Sequence, residues 1–149
     1  MGQISIKALL LLIARLCLVW IFIRAGLPKV QDPTAFAASI DGYRIISGTL
    51  SMWVAIVLPW LEIVIAFGLL TPWLRRSSAI LIAGLLCLFI ALHTSAWARG
   101  LDINCGCFGE SAASPDYHWL ILRNLALLLM TIFVLLHPRR NMPPTASST

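Results

Sequence analysis

SAILIAGLLCLFIALHTSAW, residues Ser78–Trp97, runs for 20 residues without an aspartate, glutamate, lysine or arginine. About 20 apolar residues are what a helix needs to cross the hydrocarbon core of a bilayer, at about 1.5 Å of rise per residue. Three further stretches are of similar length and predominantly apolar, near residues 7–27, 49–70 and 118–137, each with one to three charged residues. They dominate a chain of 149 residues that is 60% hydrophobic and 11% charged, with a mean hydropathy of +0.90. A soluble domain carries about a quarter charged residues. The chain therefore reads as an all-α membrane protein, a four-transmembrane-helix bundle forming one domain over residues 1–137. Residues 138–149, rich in Pro, Ser and Thr, read as a disordered cytoplasmic tail. A net charge of +5 would suggest a nucleic-acid partner in a soluble protein. Here the placement of the charges matters more than their sum, and no nucleic-acid partner is expected.

That placement sets the orientation. Lys7, Arg75, Arg76, Arg139 and Arg140 fall on one side of the spans, and Lys29, Arg44 and Arg99 on the other, together with every acidic residue except Glu62. Basic residues concentrate on the cytoplasmic side. Both termini are accordingly expected in the cytoplasm and both long loops outside, which in a bacterial inner membrane means the periplasm. Trp53, Trp97 and Trp119 would mark one interface and Trp73 the other. The first span has no small-residue cleavage site and reads as retained. In the first outer loop, Asp32-Pro33 is an N-cap followed by proline at the first helical position. Phe36, Ile40 and Tyr43 recur at helical spacing, which predicts a short amphipathic helix lying on the membrane surface, its second half weakened by Asp41-Gly42. Ser114-Pro115-Asp116 repeats the start signal ahead of the last span.

Chemistry concentrates in Asn104-Cys105-Gly106-Cys107-Phe108-Gly109, in the second outer loop. Two thiols one glycine apart can close a small strained ring, and strained disulfides exchange readily. Cys105 and Cys107 are the expected redox-active pair, one thiolate attacking a partner disulfide and the other resolving it. Two other readings stay open: a structural disulfide, and copper or zinc handling by Cys105, Cys107 and His118. Arg24, His93 and Arg123 each fall near the outer end of a span, beneath the cysteine loop. Such a positive neighbourhood favours a thiolate, or could hold the carbonyl oxygens of a membrane quinone. Against this stand snorkelling arginines and a hydrogen-bonded helix histidine. Deeper in, Arg15 and Glu62 sit at equal distance from the cytoplasmic ends of their spans, an arrangement that predicts an interhelical ion pair fixing the helices. Pro59, one turn before Glu62, should loosen that helix. Cys17 and Cys87 also match in depth, but buried cysteine usually behaves as a small hydrophobe. No covalently bound cofactor is expected.

Taken together, Arg24-Ala25-Gly26-Leu27-Pro28-Lys29, Asp32-Pro33 with Phe36, Ile40-Asp41-Gly42-Tyr43-Arg44, Leu58-Pro59-Trp60-Leu61-Glu62, Arg99-Gly100-Leu101-Asp102-Ile103 and Cys105-Gly106-Cys107-Phe108-Gly109 resemble the MauE branch of the DoxX-like membrane proteins. The matching order covers residues from about 10 to 137. The resemblance implies a four-helix membrane bundle with a periplasmic redox motif. It also implies a role in maturing methylamine dehydrogenase, whose small subunit is disulfide-rich, alongside a thioredoxin-like partner, MauD. The layout is similar, in architecture alone, to membrane proteins that couple thiols to quinone through a C-x-x-C motif. A non-catalytic assembly subunit is the remaining alternative.

Overall fold

The computed structural model describes residues 6–101 and 116–137, and contains five helices and no strand among them. They are α1 (Ile6–Gln31), α2 (Pro33–Gly42), α3 (Thr49–Gly68), α4 (Arg75–Ala98) and α5 (Tyr117–Leu136). All but α2 are long and apolar enough to span a membrane. Helices suit that setting because each satisfies its own backbone hydrogen bonds where no water is available. The four long helices form a closed ring of contacts, α1 on α3, α3 on α4, α4 on α5 and α5 on α1. Leu18, Phe22, Ile65, Leu69, Ile82, Leu86 and Leu127 fill its centre, while tryptophans such as Trp20, Trp53 and Trp60 face outward. Residues 1–5, the cysteine segment and the expected tail lie outside the described residues.

The sequence placed the spans to within a few residues, with one informative exception. The first helix does not stop at 27 but continues through Pro28 to Gln31, and the Asp32 amide still donates to the Pro28 carbonyl at 3.1 Å. The break falls at Asp32, whose Oδ1 accepts from the Ala35 amide at 2.9 Å and from the Thr34 hydroxyl at 2.6 Å. This is the N-cap expected from Asp32-Pro33, and α2 follows it to Gly42.

The short helix is not merely laid on a membrane surface. It docks on α3, with Phe36 and Ala37 against Ala55 and Leu58, and with the Ser51 hydroxyl donating to the Asp41 carboxylate. Lower down α3, the close approach of α1 comes at Gly26. A Cβ there would meet Ile63 at 3.2 Å and the Pro59 carbonyl at 3.3 Å. Gly26 therefore stands level with residues about ten positions into α3, roughly 15 Å from its start. The length of α3 above that point is covered by α2. A broken α1–α2 path thus runs along the whole of α3.

At the opposite end of α3, Leu69–Leu74 form a tight connection to α4. α4 ends in a Schellman arrangement: Gly100 (φ 61°) donates to the Trp97 carbonyl at 3.0 Å and Leu101 to the Ala96 carbonyl at 3.1 Å. Only a residue that tolerates positive φ fits there without strain, which explains the glycine. The accompanying apolar contact is present, since Leu101 packs with Ala96.

Candidate functional site

Cys105 and Cys107 lie outside the described residues, but both ends of the segment that carries them are in place. Leu101, turned back by the Gly100 cap, accepts a hydrogen bond from the Tyr117 hydroxyl in the first turn of α5. Tyr117 itself follows Asp116, whose carboxylate caps α5 by accepting from the Trp119 amide at 3.3 Å. The two anchors of residues 102–115 are therefore held together. Around them Ala96, Leu101, Tyr117 and Leu120 form a small apolar cluster that includes Tyr43.

Tyr43 connects this base to the interior. It follows α2, and its carbonyl accepts from the Arg99 guanidinium at the end of α4. Its hydroxyl lies 2.9 Å from His93 Nδ1 on α4. Burial pushes the Tyr43 phenol up to about 12, with the Tyr117 phenol adding to the shift, so it stays protonated at neutral pH.

Below the Tyr43–His93 contact opens a cavity of about 310 Å³. Its walls are apolar, with Phe22, Phe36, Leu58, Leu86, Phe89 and Leu127 among them, and Tyr43, His93, Arg123, Asn124, Lys29 and Glu62 supply the polar groups. Ile45 and Leu88 belong both to its wall and to the exposed outer surface. The cavity therefore reaches the face that lipid would cover.

In its wall Lys29 Nζ bonds both Glu62 oxygens, at 2.9 and 3.0 Å, with side chains only 3% and 1% exposed. The ammonium also lies 5.0 Å from the Phe36 ring centre and 5.3 Å from that of Phe89. Cα–Cβ bonds tilt toward a helix's N-terminus. On antiparallel α1 and α3, Lys29 and Glu62 therefore lean toward each other, and Gly26 lets the two backbones come close enough for the side chains to meet.

The residues singled out from the sequence separate accordingly. His93 and Arg123 line the cavity, as does Glu62. Arg24 does not join them: it is on the exposed face of α1 with its guanidinium 5.9 Å from the Trp20 ring. It sits one turn from Lys29's level but on another side of the helix. The expected Arg15–Glu62 pair is replaced by Lys29–Glu62. Equal counting from the cytoplasmic ends assumed that the start of α1 lies level with the end of α3, whereas the break before α2 shifts α1 along α3. Arg15 is buried on the same stripe of α1 as Lys29, about four turns nearer the N-terminus.

Cys17 and Cys87 are free thiols on exposed faces, not a facing pair. His118 is exposed, its ring edge-on to Trp97 at 5.1 Å. No cluster of three or more His, Cys, Asp or Glu occurs among the described residues.

Lys29, Tyr43, Asn124, Phe36 and Phe89 were assigned to no site from the sequence. Lys29 had left a signal. Leu11, Arg15, Leu18, Phe22, Gly26 and Lys29 recur at three- and four-residue steps, one buried stripe on one helix face.

The family model described as methylamine utilisation protein MauE matches residues 7–137. A protein of Paracoccus denitrificans described as methylamine utilization protein MauE is 31% identical over 135 residues, covering 90% of this chain and 73% of its own. One of the same description from Methylophilus methylotrophus is 32% identical over 123 residues, covering 81% of this chain and 65% of its own. A third, from Methylorubrum extorquens, is 32% identical over 117 residues, of which this chain spans 62% of the relative's length. No solved structure matches. The matched region takes in all five helices, the cavity and the segment between Leu101 and Tyr117, and on that basis the chain belongs to the methylamine utilisation protein MauE family.

Proposed function

We propose that this protein is a membrane thiol–disulfide redox protein in which Cys105 and Cys107 exchange electrons with a thioredoxin-like partner outside the inner membrane. Its role is in maturing a periplasmic protein of the methylamine-utilisation system. The observation that carries this reading is the joining of two features. The anchors of the cysteine segment are tied by Tyr117 and Leu101, and Tyr43 in the same cluster roofs the cavity. The segment that carries the cysteines thus starts and ends beside a place for an electron acceptor.

A membrane quinone suits that place. The volume falls in the range of small-molecule sites, about 300–1,000 Å³. The walls are almost wholly apolar, with His93 and Arg123 among the lining residues, and the opening lies on the lipid side. His93 and Arg123 are the lining residues that would hold its oxygen, and Arg24 is not among them. A quinone supplies a two-electron acceptor. In the balanced reaction the partner's two thiols become a disulfide as the Cys105–Cys107 disulfide becomes a dithiol. Re-forming that disulfide then releases two electrons and two protons to the quinone.

Thiol-specific alkylation of purified protein tests the reading. Two additional labels are expected after reduction, and Cys105→Ser or Cys107→Ser should trap a mixed disulfide with a thioredoxin-like protein in cells. Full maturation activity in both serine variants, with no adduct, would sink it.

A further inference from the structure

We infer that Asn124 is the polar anchor of the cavity, its amide holding one oxygen of a lipid-soluble quinone in both the oxidised and the reduced form. The inference rests on the redox reading above and adds a specificity-determining residue which that reading does not use.

Its place on α5 carries the first step. Tyr117, Asn124, Leu127, Thr131 and Val134 form the buried stripe of that helix, so Asn124 stands where an apolar side chain would pack. It is only 5% exposed, and the open space beside it is the cavity that it lines. Thr131, on the same stripe, satisfies itself by donating to the Leu127 carbonyl at 2.8 Å. Asn124 makes no side-chain hydrogen bond among the described residues. A buried amide without a partner is costly, most of all where no water can reach it.

The rest of the wall does not supply that partner. Lys29 and Glu62 bond each other, the Tyr43 hydroxyl meets His93, and the Ser39 hydroxyl donates to the Ala35 carbonyl at 3.0 Å. A water would want two to four polar partners, which walls so nearly apolar do not offer. A ligand with an apolar body and one oxygen at Asn124 fits better, and it would enter past Ile45 and Leu88 from the lipid side.

The amide also suits a ligand whose hydrogen bonding changes. A quinone oxygen only accepts. On gaining two electrons and two protons the ring oxygens become hydroxyls, which also donate. Arginine can only donate, whereas asparagine carries an acceptor and two donors on one group and serves both forms by turning over.

The test is calorimetric binding of a fully substituted, short-tailed benzoquinone, and separately of its quinol, to the purified full chain in detergent. Asn124→Leu removes the amide and keeps a similar volume. Both forms should then bind about two- to tenfold more weakly, the loss of one neutral hydrogen bond. The ligand-free variant should melt at the same temperature or higher, because an unsatisfied buried group has gone. Equal affinity in wild type and variant would overturn the inference while leaving quinone binding intact. A loss confined to one form would refute the claim that the amide serves both. Absence of binding to wild type would overturn it together with the quinone reading. A second measurement needs no variant: wild type should prefer the quinone to a hydrocarbon of the same ring and tail with methyl groups in place of the oxygens. Equal or reversed preference would refute a polar anchor even if Asn124→Leu does not fold.

Discussion

At the scale of single residues, function gathers around groups whose partners matter more than their identity. Tyr43 illustrates this. Its hydroxyl meets His93 Nδ1, its carbonyl receives Arg99, and its ring joins the cluster at the base of the cysteine segment. Because burial raises its pKa from 10.0 to about 12, the folded protein holds this proton more tightly than the unfolded chain does. The stability so contributed is complete below pH 10 and is lost as pH rises toward 12. Tyr43→Phe removes the hydrogen bond, at a cost of about 0.5–1.5 kcal/mol near neutral pH, and should flatten the alkaline limb. Thermal unfolding in detergent between pH 8 and 12 measures both effects, and an unchanged limb in Tyr43→Phe would refute the assignment. Position in sequence could show that Tyr43 shares a helical face with Phe36 and Ile40. It could not show His93, which lies 50 residues away. Arg24 stands apart from His93 and Arg123 for the opposite reason, since depth along a helix says nothing about which side of it a residue faces.

At the scale of elements, the helices were legible and their register was not. Apolar length fixes a membrane span, and Asp32-Pro33 and Asp116 mark helix starts in plain view. Register depends instead on where backbones approach, here on Gly26 against Pro59 and Ile63. Counting from span ends misplaced α1 because it treated α2 as a surface feature, when α2 completes the cover over α3. The spacing of buried α1 positions from Leu11 to Lys29 would have shown which face mattered, but not its height. Gly26→Ala tests this contact. The new methyl meets the Pro59 carbonyl at 3.3 Å, and a backbone oxygen cannot rotate away as a side chain can. Overpacking of this kind costs about 1–3 kcal/mol. The expected result is lowered thermal stability, with a larger loss for Gly26→Leu. The reverse order, leucine tolerated better than alanine, would show that α1 and α3 do not meet there.

At the scale of the whole molecule, the structure sharpens the argument for orientation. On sequence alone the basic residues divide five against three, with Lys29 counted among the outer three. Lys29 belongs to neither loop, because its ammonium is buried against Glu62 inside the bundle. Arg44 and Arg99 remain on that side, against Lys7, Arg75, Arg76, Arg139 and Arg140, and the bias becomes five to two. Arg75 and Arg76 open α4, where a helix N-terminus disfavours positive charge. Their placement there makes sense as a topological signal that outweighs a local cost. The expected arrangement puts both termini in the cytoplasm and residues 102–115 in the periplasm. Cysteine labelling in intact cells checks it. After reduction, a membrane-impermeant maleimide should modify Cys105 and Cys107 from outside. Cys17 and Cys87 should resist it from either side, since their exposed thiols would face acyl chains where the charged reagent does not enter. A Ser77→Cys probe in a background lacking the native thiols should react only after the cells are opened. Labelling of that probe in intact cells would reverse the orientation, and with it the side on which a redox partner could dock.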